Sequence, residues 1–304
     1  MIELVAGTAD SAAAARIRTT VWRWVMVEPE ALEHSRLTMA GFGDWLALLN
    51  GVPVGAASCS LNLGMEEDTA AFAVWCVLPD ARRKGVGTAL YRQVSAHARS
   101  LGKSELKTWG YEDDAGGVAF AERHGFVEVN RKPALRLVLD GCPRPELDLP
   151  DGVAITSLAD HPELARGVWE TASETMPDIP YDTVAMSAGS FEEFAARSFA
   201  GPRYIPDATF VAVSDGEVIG YAQLAWMSRA AGIGDHAMLA VRRAWRGHGI
   251  AKALKAHQIA WALENGLNEL RTGNDERNTS ARAVNANFAY TRLPDQVGYR
   301  GPLL

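Results

Sequence analysis

One stretch decides the fold of this chain: Arg82-Arg83-Lys84-Gly85-Val86-Gly87-Thr88-Ala89-Leu90. It returns, at an offset of 164 residues, as Arg246-Gly247-His248-Gly249-Ile250-Ala251-Lys252-Ala253-Leu254. The register continues to Phe126 and Tyr290 without insertion or deletion, and twelve of the 45 aligned positions are identical. Average amino-acid usage would give roughly one match in sixteen. The sequence therefore predicts a tandem duplication of one structural unit.

Each copy of this turn follows an apolar segment, 72–77 in the first copy and 237–241 in the second, and opens a helical run. This order is typical of a buried strand that leads into a helix N-terminus. Glycines let the backbone approach a ligand closely, and the first N–H groups of a helix have no internal partner. An anion suits such a site. The basic residues beside both turns favour two or three phosphates over one carboxylate.

The surrounding pattern is also repeated. The first helix carries the apolar stripe Leu90, Val94, Ala98 and Leu101 and is predicted to end at Gly102, as Gly266 ends the second. Upstream of each turn, Asn50-Gly51 and Asp215-Gly216 stand between apolar runs and predict hairpins. Both halves are thus predicted as strand, helices, hairpin, strand, glycine turn, helix, strand, helix and strand.

This order of parts resembles the GNAT superfamily of acyl-CoA-dependent N-acyltransferases. The resemblance implies an α/β fold of two tandem GNAT-like domains, each a mixed, mostly antiparallel sheet splayed at a bulge with helices on both faces. It implies acetyl-CoA (coenzyme A) as co-substrate, with the pyrophosphate on the turn and the pantetheine in the gap of the sheet. The residues implied for binding are Val77, Arg82, Lys84, Gly85, Gly87, Thr88, Val241, Arg246, His248, Gly249, Ala251, Lys252 and Asn278. The tandem organisation is similar to that of two-domain members such as mycothiol synthase, although no local motif ties this chain to that substrate.

The resemblance also implies direct transfer of an acetyl group to a small amine. It places the catalytic candidates Asp235 and His236 on the strand before the second turn, where a carboxylate of many relatives relays the amine proton. The matching stretch of the first copy, 70–77, has no ionisable group except the thiol of Cys76. Copy two is therefore predicted to carry the transfer, unless the strand begins late enough to bring in the acidic residues at 66–68. A solvated strand-edge role for Asp235 stays open, as does the number of halves that bind acetyl-CoA.

Other function classes fit less well. The slot of the family's general-acid tyrosine holds Ala121 in one copy and Asn285 in the other, which leaves an acyl-CoA-binding or sensing protein as the alternative. A dinucleotide oxidoreductase is remote, because the third glycine of that fingerprint is replaced by Leu90 or Lys252. A nucleotide triphosphatase is excluded by the lack of a Gly-x-x-x-x-Gly-Lys-Ser/Thr motif.

Length and composition add limits. A chain of 304 residues predicts two domains, here 1–140 and 153–304, with a linker at 141–152 that contains Pro143, Pro145 and Pro150. A net charge of −7 argues against nucleic acid as partner. The sequence has no apolar run long enough to predict a membrane-spanning segment. Three cysteines without metal spacing predict no metal and a reducing cytoplasm. The oligomeric state stays open.

The acceptor is not revealed by any motif. The early helical segments, 12–37 and 164–200, are predicted to supply acceptor contacts together with the strand ends. Tryptophan side chains are more often packed than ligand-binding. At least three of the tryptophans at 75, 109, 245 and 261 are accordingly predicted to pack.

Overall fold

The computed structural model describes residues 1–22, 24–61, 69–180 and 185–304. The acidic residues Glu66, Glu67 and Asp68 thus lie outside the described part. The chain divides into two compact units. The N-terminal unit consists of Met1–Lys132 and Pro294–Leu304, and the C-terminal unit of Pro133–Leu293.

The elements follow the predicted order in both halves. Those of the first half are β1 (Ile2–Ala6), α1 (Ser11–Val21), α2 (Pro29–Thr38), β2 (Gly43–Leu49), β3 (Val52–Ser60), β4 (Ala70–Val77), α3 (Val86–Ser100), β5 (Glu105–Tyr111), α4 (Ala115–Arg123) and β6 (Val127–Lys132). Those that follow are β7 (Ala134–Val138), β8 (Ala154–Ser157), α5 (Ala165–Thr175), α6 (Phe191–Ser198), β9 (Tyr204–Ser214), β10 (Glu217–Ser228), β11 (Ile233–Val241), α7 (Ile250–Glu264), β12 (Glu269–Gly273), α8 (Thr279–Asn285), β13 (Thr291–Arg292) and β14 (Gln296–Pro302).

Each unit has a seven-stranded sheet. The strand order is β1-β2-β3-β4-β5-β14-β6 in the N-terminal unit and β13-β7-β12-β11-β10-β9-β8 in the C-terminal unit. Only β4–β5 and β11–β12 pair in parallel among the described strand pairs. These two mixed, mostly antiparallel sheets confirm the predicted fold class.

The parallel pairs separate at corresponding places. β4 pairs with β5 only from Ala70 to Phe72, and β11 pairs with β12 only from Ile233 to Asp235. Beyond these points the strands diverge towards the glycine turns. In the C-terminal unit a register shift against β10 leaves Ala237 as an extra residue, which is a β-bulge. β3 and β4 pair in continuous register. The gap predicted beside each turn is therefore present in both sheets.

The compact units differ from the predicted boundaries at 140 and 152. Strand β14, at the C-terminal end of the chain, lies between β5 and β6 in the N-terminal sheet, while β7 pairs with β12 in the C-terminal sheet. The two halves thus exchange their last strands. The segment between β7 and β8 contains no helix or strand, as expected of a linker.

Helices cover both faces of each sheet. In the N-terminal unit, α3 buries the predicted stripe of Leu90, Val94 and Ala98 on one face, and α1 buries Ile17 on the other. In the C-terminal unit, Val168 of α5 and Leu254 of α7 belong to separate apolar clusters. No helix in the described ranges is long and apolar enough to span a membrane.

Candidate functional site

The two glycine turns have the same backbone shape. In the first, Arg83 and Gly85 have φ of 63° and 87°, and in the second Gly247 and Gly249 have φ of 81° and 82°. This left-handed region costs a side chain energy, so Arg83 is strained where the second copy has glycine. Gly85 and Gly249 are the N-caps of α3 and α7, and neither helix has a side chain capping its first N–H groups. Both turns thus present unpaired helix donors, which suit an anion.

The arginines that open the turns have internal partners. The Nε of Arg82 donates to the carbonyl of Val77 at 3.2 Å, and the Nε of Arg246 donates to the carbonyl of Val241 at the same distance. The terminal nitrogens of Arg82 contact Asp114 at 2.9 and 3.3 Å. Each arginine therefore fixes the end of a strand to its turn, a role that the sequence analysis did not assign.

The second turn is held by one more carboxylate. Asp178 accepts from Arg246 at 2.7 Å and from Arg243 at 2.7 and 3.0 Å. These two guanidinium groups, Arg243 first, lower the pKa of Asp178 to about 2. This one carboxylate thus offsets one of the two arginine charges beside the second turn.

The divergent strands point backbone groups into the gap. The carbonyl of Val77 faces away from β3, because it accepts from Arg82. Backbone groups alternate along a strand, so the N–H and C=O of Trp75 face the same side as those of Val77. Leu239 and Val241 are oriented in the same way in the C-terminal unit. Such N–H groups can donate to a carbonyl oxygen placed in the gap.

A cavity of about 640 Å³ lies beside the first turn. Its floor includes five of the predicted binding residues, namely Val77, Arg82, Gly85, Gly87 and Thr88. The sixth, Lys84, is exposed, and its Nζ donates to the carbonyl of Asp80 at 2.9 Å. The far wall comes from the C-terminal end of α1 and from α4. The cavity thus extends from the glycine turn to a chamber that is lined by α1 and α4.

The chamber is strongly aromatic. Trp22, Trp24, Trp75 and Trp109 all line it. The rings of Trp22 and Trp109 lie 4.7 Å apart, and Trp75 stacks on Tyr91 at 5.3 Å. Of the four tryptophans at 75, 109, 245 and 261, for which packing was predicted in at least three, two also line this cavity. Trp75 and Trp109 pack and also face the cavity, because the divergence of β4 from β5 exposes one side of each ring.

The second set of binding candidates has a different setting. Arg246, His248, Gly249 and Lys252 are exposed, Ala251 is half-buried and Val241 is buried. The side chain of Asn278 accepts from the N–H of Ala281 at 3.1 Å and so caps α8. Its counterpart Asp114 caps α4 by accepting from Gly117.

The catalytic candidates Asp235 and His236 point to opposite faces of β11, as neighbours on a strand do. The Asp235 side chain is 27% exposed and pairs with Arg203 at 3.2 Å. Burial raises the pKa of Asp235. The ring of His236 lies between Gln258 Oε1, 2.7 Å from Nδ1, and the Tyr290 hydroxyl, 2.6 Å from Nε2. Burial lowers the pKa of His236, so the ring is neutral, and Tyr290 donates to it.

A buried polar cluster surrounds this histidine, and the sequence analysis missed it. Lys255 of α7 is 3% exposed, and its Nζ donates to Asn285 Oδ1 at 2.5 Å and lies 5.1 Å from the centre of the Tyr290 ring. Burial lowers the pKa of Lys255 to about 7. The register places Lys255 opposite Tyr91 and Tyr290 opposite Phe126 of the first copy. The copies therefore differ most where the first has an aromatic cluster. From the sequence, only a comparison of the two aligned copies could have indicated this buried polar cluster.

No group of three or more histidine, cysteine or acidic side chains in the described ranges is arranged to hold a metal ion. All three cysteines are free thiols.

Solved structures share this architecture. A tandem GNAT protein from the clavulanic acid biosynthesis pathway, without AcCoA, aligns with a TM-score of 0.77 at 19% identity, covering 100% of this chain and 99% of the other. A GCN5-related N-acetyltransferase from Sphaerobacter thermophilus gives a TM-score of 0.74 at 20% identity, with 99% and 96% covered. At such identities the likeness concerns the fold.

Sequence relatives agree. A mycothiol acetyltransferase from Thermomonospora curvata is 28% identical over 228 residues, which are 74% of this chain and 72% of the relative. A second, from Geodermatophilus obscurus, is 26% identical over 233 residues, with 74% and 71% covered. The model of the acetyltransferase (GNAT) family matches twice, at residues 12–126 and 170–288. The chain therefore belongs to the GNAT acetyltransferase family, as a tandem member with two domains.

Proposed function

We propose that the chain is an N-acetyltransferase that moves an acetyl group from acetyl-CoA to a small amine by direct transfer. The observation that carries this proposal is the cavity of the N-terminal unit. It joins a turn with free helix donors, a strand edge whose N–H groups face the gap and an aromatic chamber.

Donor binding follows from the turn. The pyrophosphate of acetyl-CoA would accept from the first N–H groups of α3, with Arg83 and Lys84 adding positive charge. Gly87 leaves room in the cavity, since a side chain there would extend towards Phe120 and Val77, which both line it. The pantetheine arm would then lie along the free edge of β4 and bring the thioester to Trp75 and Val77.

The transfer step needs little beyond this geometry. The amine nitrogen attacks the thioester carbonyl carbon, the carbon–sulfur bond breaks, and the thiolate leaves and takes up, directly or through water, the proton that the nitrogen loses as it becomes an amide. A β4 N–H facing the gap donates to the carbonyl oxygen as negative charge develops there. Because amines are protonated at neutral pH, a base or a water chain first removes a proton, which contributes roughly a hundred-fold to ten-thousand-fold in rate.

The comparisons support acetyl as the transferred group more strongly than they support any particular acceptor. Relatives named mycothiol acetyltransferase favour acetyl transfer to a small molecule.

The location of the chemistry is a separate proposal. We place donor binding in the N-terminal unit, because the described cavity lies there. The assignment of the transfer to copy two, with Asp235 as base and His236 beside it, stays a prediction. Its support is the raised pKa of Asp235, which brings that carboxyl closer to the range of a useful base.

The test is thiol release from acetyl-CoA in the presence of a panel of primary amines, with the acetylated product identified by mass. We expect at least one amine to give product and free coenzyme A in equal amounts. Asp235→Asn in parallel tests the second copy. Binding of acetyl-CoA without thiol release from any amine would favour the acyl-CoA-binding alternative.

A further inference from the structure

A buried arginine without a hydrogen-bond acceptor lies next to the cavity of the N-terminal unit. Arg18, on the last turns of α1, is 5% exposed. Its Nε and one terminal nitrogen are shielded from solvent and have no hydrogen-bond partner among the described residues. Buried polar groups in folded proteins nearly always have partners, so such a group calls for a ligand or a bound water.

The charges around Arg18 do not balance. The carboxylate among its electrostatic neighbours, that of Asp44, is 8% exposed and already accepts from Arg36 at 2.6 and 3.2 Å. The thiol of Cys76 is neutral, because burial raises its pKa to about 11. Among the described groups that act on Arg18, two guanidinium groups thus share one carboxylate, which leaves one positive charge in excess. An uncompensated buried charge is strongly unfavourable, so an incoming anion would be bound well here.

Arg18 lies against the wall of the chamber. Its guanidinium carbon is 5.9 Å from the centre of the Trp22 ring, and the thiol of Cys76 is among its electrostatic neighbours. Trp22 and Cys76 both line the cavity. Arg18 itself is not among the lining residues, so its guanidinium lies behind these two side chains, and a ligand in the cavity contacts it only when one of them turns aside.

The position also suits the reacting centre. Cys76 stands on β4 between Trp75 and Val77, whose backbone groups face the gap where the thioester would lie. An anionic group beside Cys76 would thus be held close to the acyl carbon. An α-amino acid meets this demand, because its amine and its carboxylate are attached to one carbon atom.

We propose that Arg18 binds the carboxylate of the acceptor, and that the acceptor is an α-amino acid with an apolar or aromatic side chain. Arginine suits this role, because its fork of donors matches a carboxylate. The rings of Trp22, Trp109 and Tyr111 supply an apolar wall for the side chain. This inference rests on the proposed acetyltransferase function.

The test compares matched acceptors on the unaltered chain: L-phenylalanine with L-phenylalaninamide and 2-phenylethylamine, and L-tryptophan with tryptamine. Thiol release should show kcat/KM about ten-fold to a hundred-fold higher for the acids, the range expected of a hydrogen bond to a charged group. Equal kcat/KM within each pair would overturn the inference and leave the acetyltransferase function standing.

The variants Arg18→Met and Arg18→Lys test whether Arg18 is the source of the preference for acids. Arg18→Met should raise KM for the acids and bring the ratio within each pair close to one, with acetyl-CoA affinity unchanged. Arg18→Lys should keep part of the preference. A ratio that survives in Arg18→Met would assign the selectivity to another residue and contradict the inference.

A binding measurement covers the case in which no amine releases thiol. The melting temperature of the unaltered chain is then followed with L-phenylalanine, its amide and 2-phenylethylamine in turn. Stabilisation by the acid alone would support the carboxylate site although the proposed function had failed. The absence of any difference among the three would overturn the site as well.

Discussion

At the scale of single residues, Lys255 is the buried group with the clearest consequence. Burial lowers its pKa from 10.5 to about 7 in the folded chain. Between these values the unfolded chain binds more protons than the folded one, so stability rises with pH from about 7 to about 10.5. Below pH 7 the lysine is charged in both states, and the full free-energy cost of burying its charge applies.

We therefore predict that the free energy of unfolding rises with pH more steeply in the wild type than in Lys255→Met, by up to roughly 1 kcal/mol per pH unit. Urea unfolding at pH 7, 8 and 9 measures this difference. Lys252→Met, an exposed lysine on the same helix, serves as control and should follow the wild type. Parallel curves for wild type and Lys255→Met would contradict the prediction.

Single residues also show the limit of sequence reasoning. The sequence predicts glycine turns at Gly85 and Gly249, and both residues have a left-handed φ at the N-caps of their helices. The contacts of Arg18 and Lys255 could not be predicted, because a charged residue in an amphipathic run has the same local pattern whether it is solvated or buried. Its environment is set by side chains far away in the sequence.

At the scale of elements, the unit of function is the turn with its helix. Arg82→Glu combined with Lys84→Glu should weaken acetyl-CoA binding, because two positive charges beside the pyrophosphate become negative. We expect a loss of about ten-fold to a hundred-fold, measured by calorimetric titration.

Arg246→Glu is the matched variant in the second turn and should leave the affinity of the N-terminal site unchanged. Melting temperatures are needed beside it, since Arg82 and Arg246 also fix the ends of their strands. Unchanged affinity in the double variant, with the fold intact, would remove the phosphate assignment.

The helices and hairpins were the most predictable features of the structure. The hairpins at Asn50-Gly51 and Asp215-Gly216, both with positive φ, and the helices after the two turns follow from local signals that tertiary contacts reinforce. The bulge at Ala237 has no local signature, because it depends on the pairing of β11 with β10.

At the scale of the whole molecule, the exchanged strand β14 completes the N-terminal sheet. It pairs with β5 from Gln296 to Pro302 and with β6 from Gln296 to Arg300, and Val297 is 1% exposed. Burial of one such valine contributes about 1.5–3 kcal/mol.

A chain that ends at Leu293 should therefore melt at a lower temperature, with faster amide exchange in β5 and β6. A synthetic peptide of residues 294–304, added in trans, should restore both properties by strand addition. If the shortened chain melts like the full one, β14 is not a structural strand of this unit.

The exchange explains why the predicted domain boundaries differ from the compact units. β7 and β14 have ordinary strand patterns, and a strand's own residues do not reveal which sheet it joins. The partners of β14 are nearly 200 residues away in the sequence. The duplicated fold could be recognised from the sequence, whereas its last strand pairings required the structure.

Acetyl transfer is proposed to depend on the glycine turn of the N-terminal unit, and one pair of matched variants tests this dependence. Gly87→Val places a branched side chain on the cavity floor, and Ala251→Val makes the matching change at the second turn. Thiol release with the best amine should fall at least about ten-fold in kcat/KM for acetyl-CoA in Gly87→Val, because the helix donors are then obstructed. It should stay near the wild-type value in Ala251→Val. The reverse pattern, with loss only in Ala251→Val, would contradict the account and place the reaction in the C-terminal unit beside Asp235.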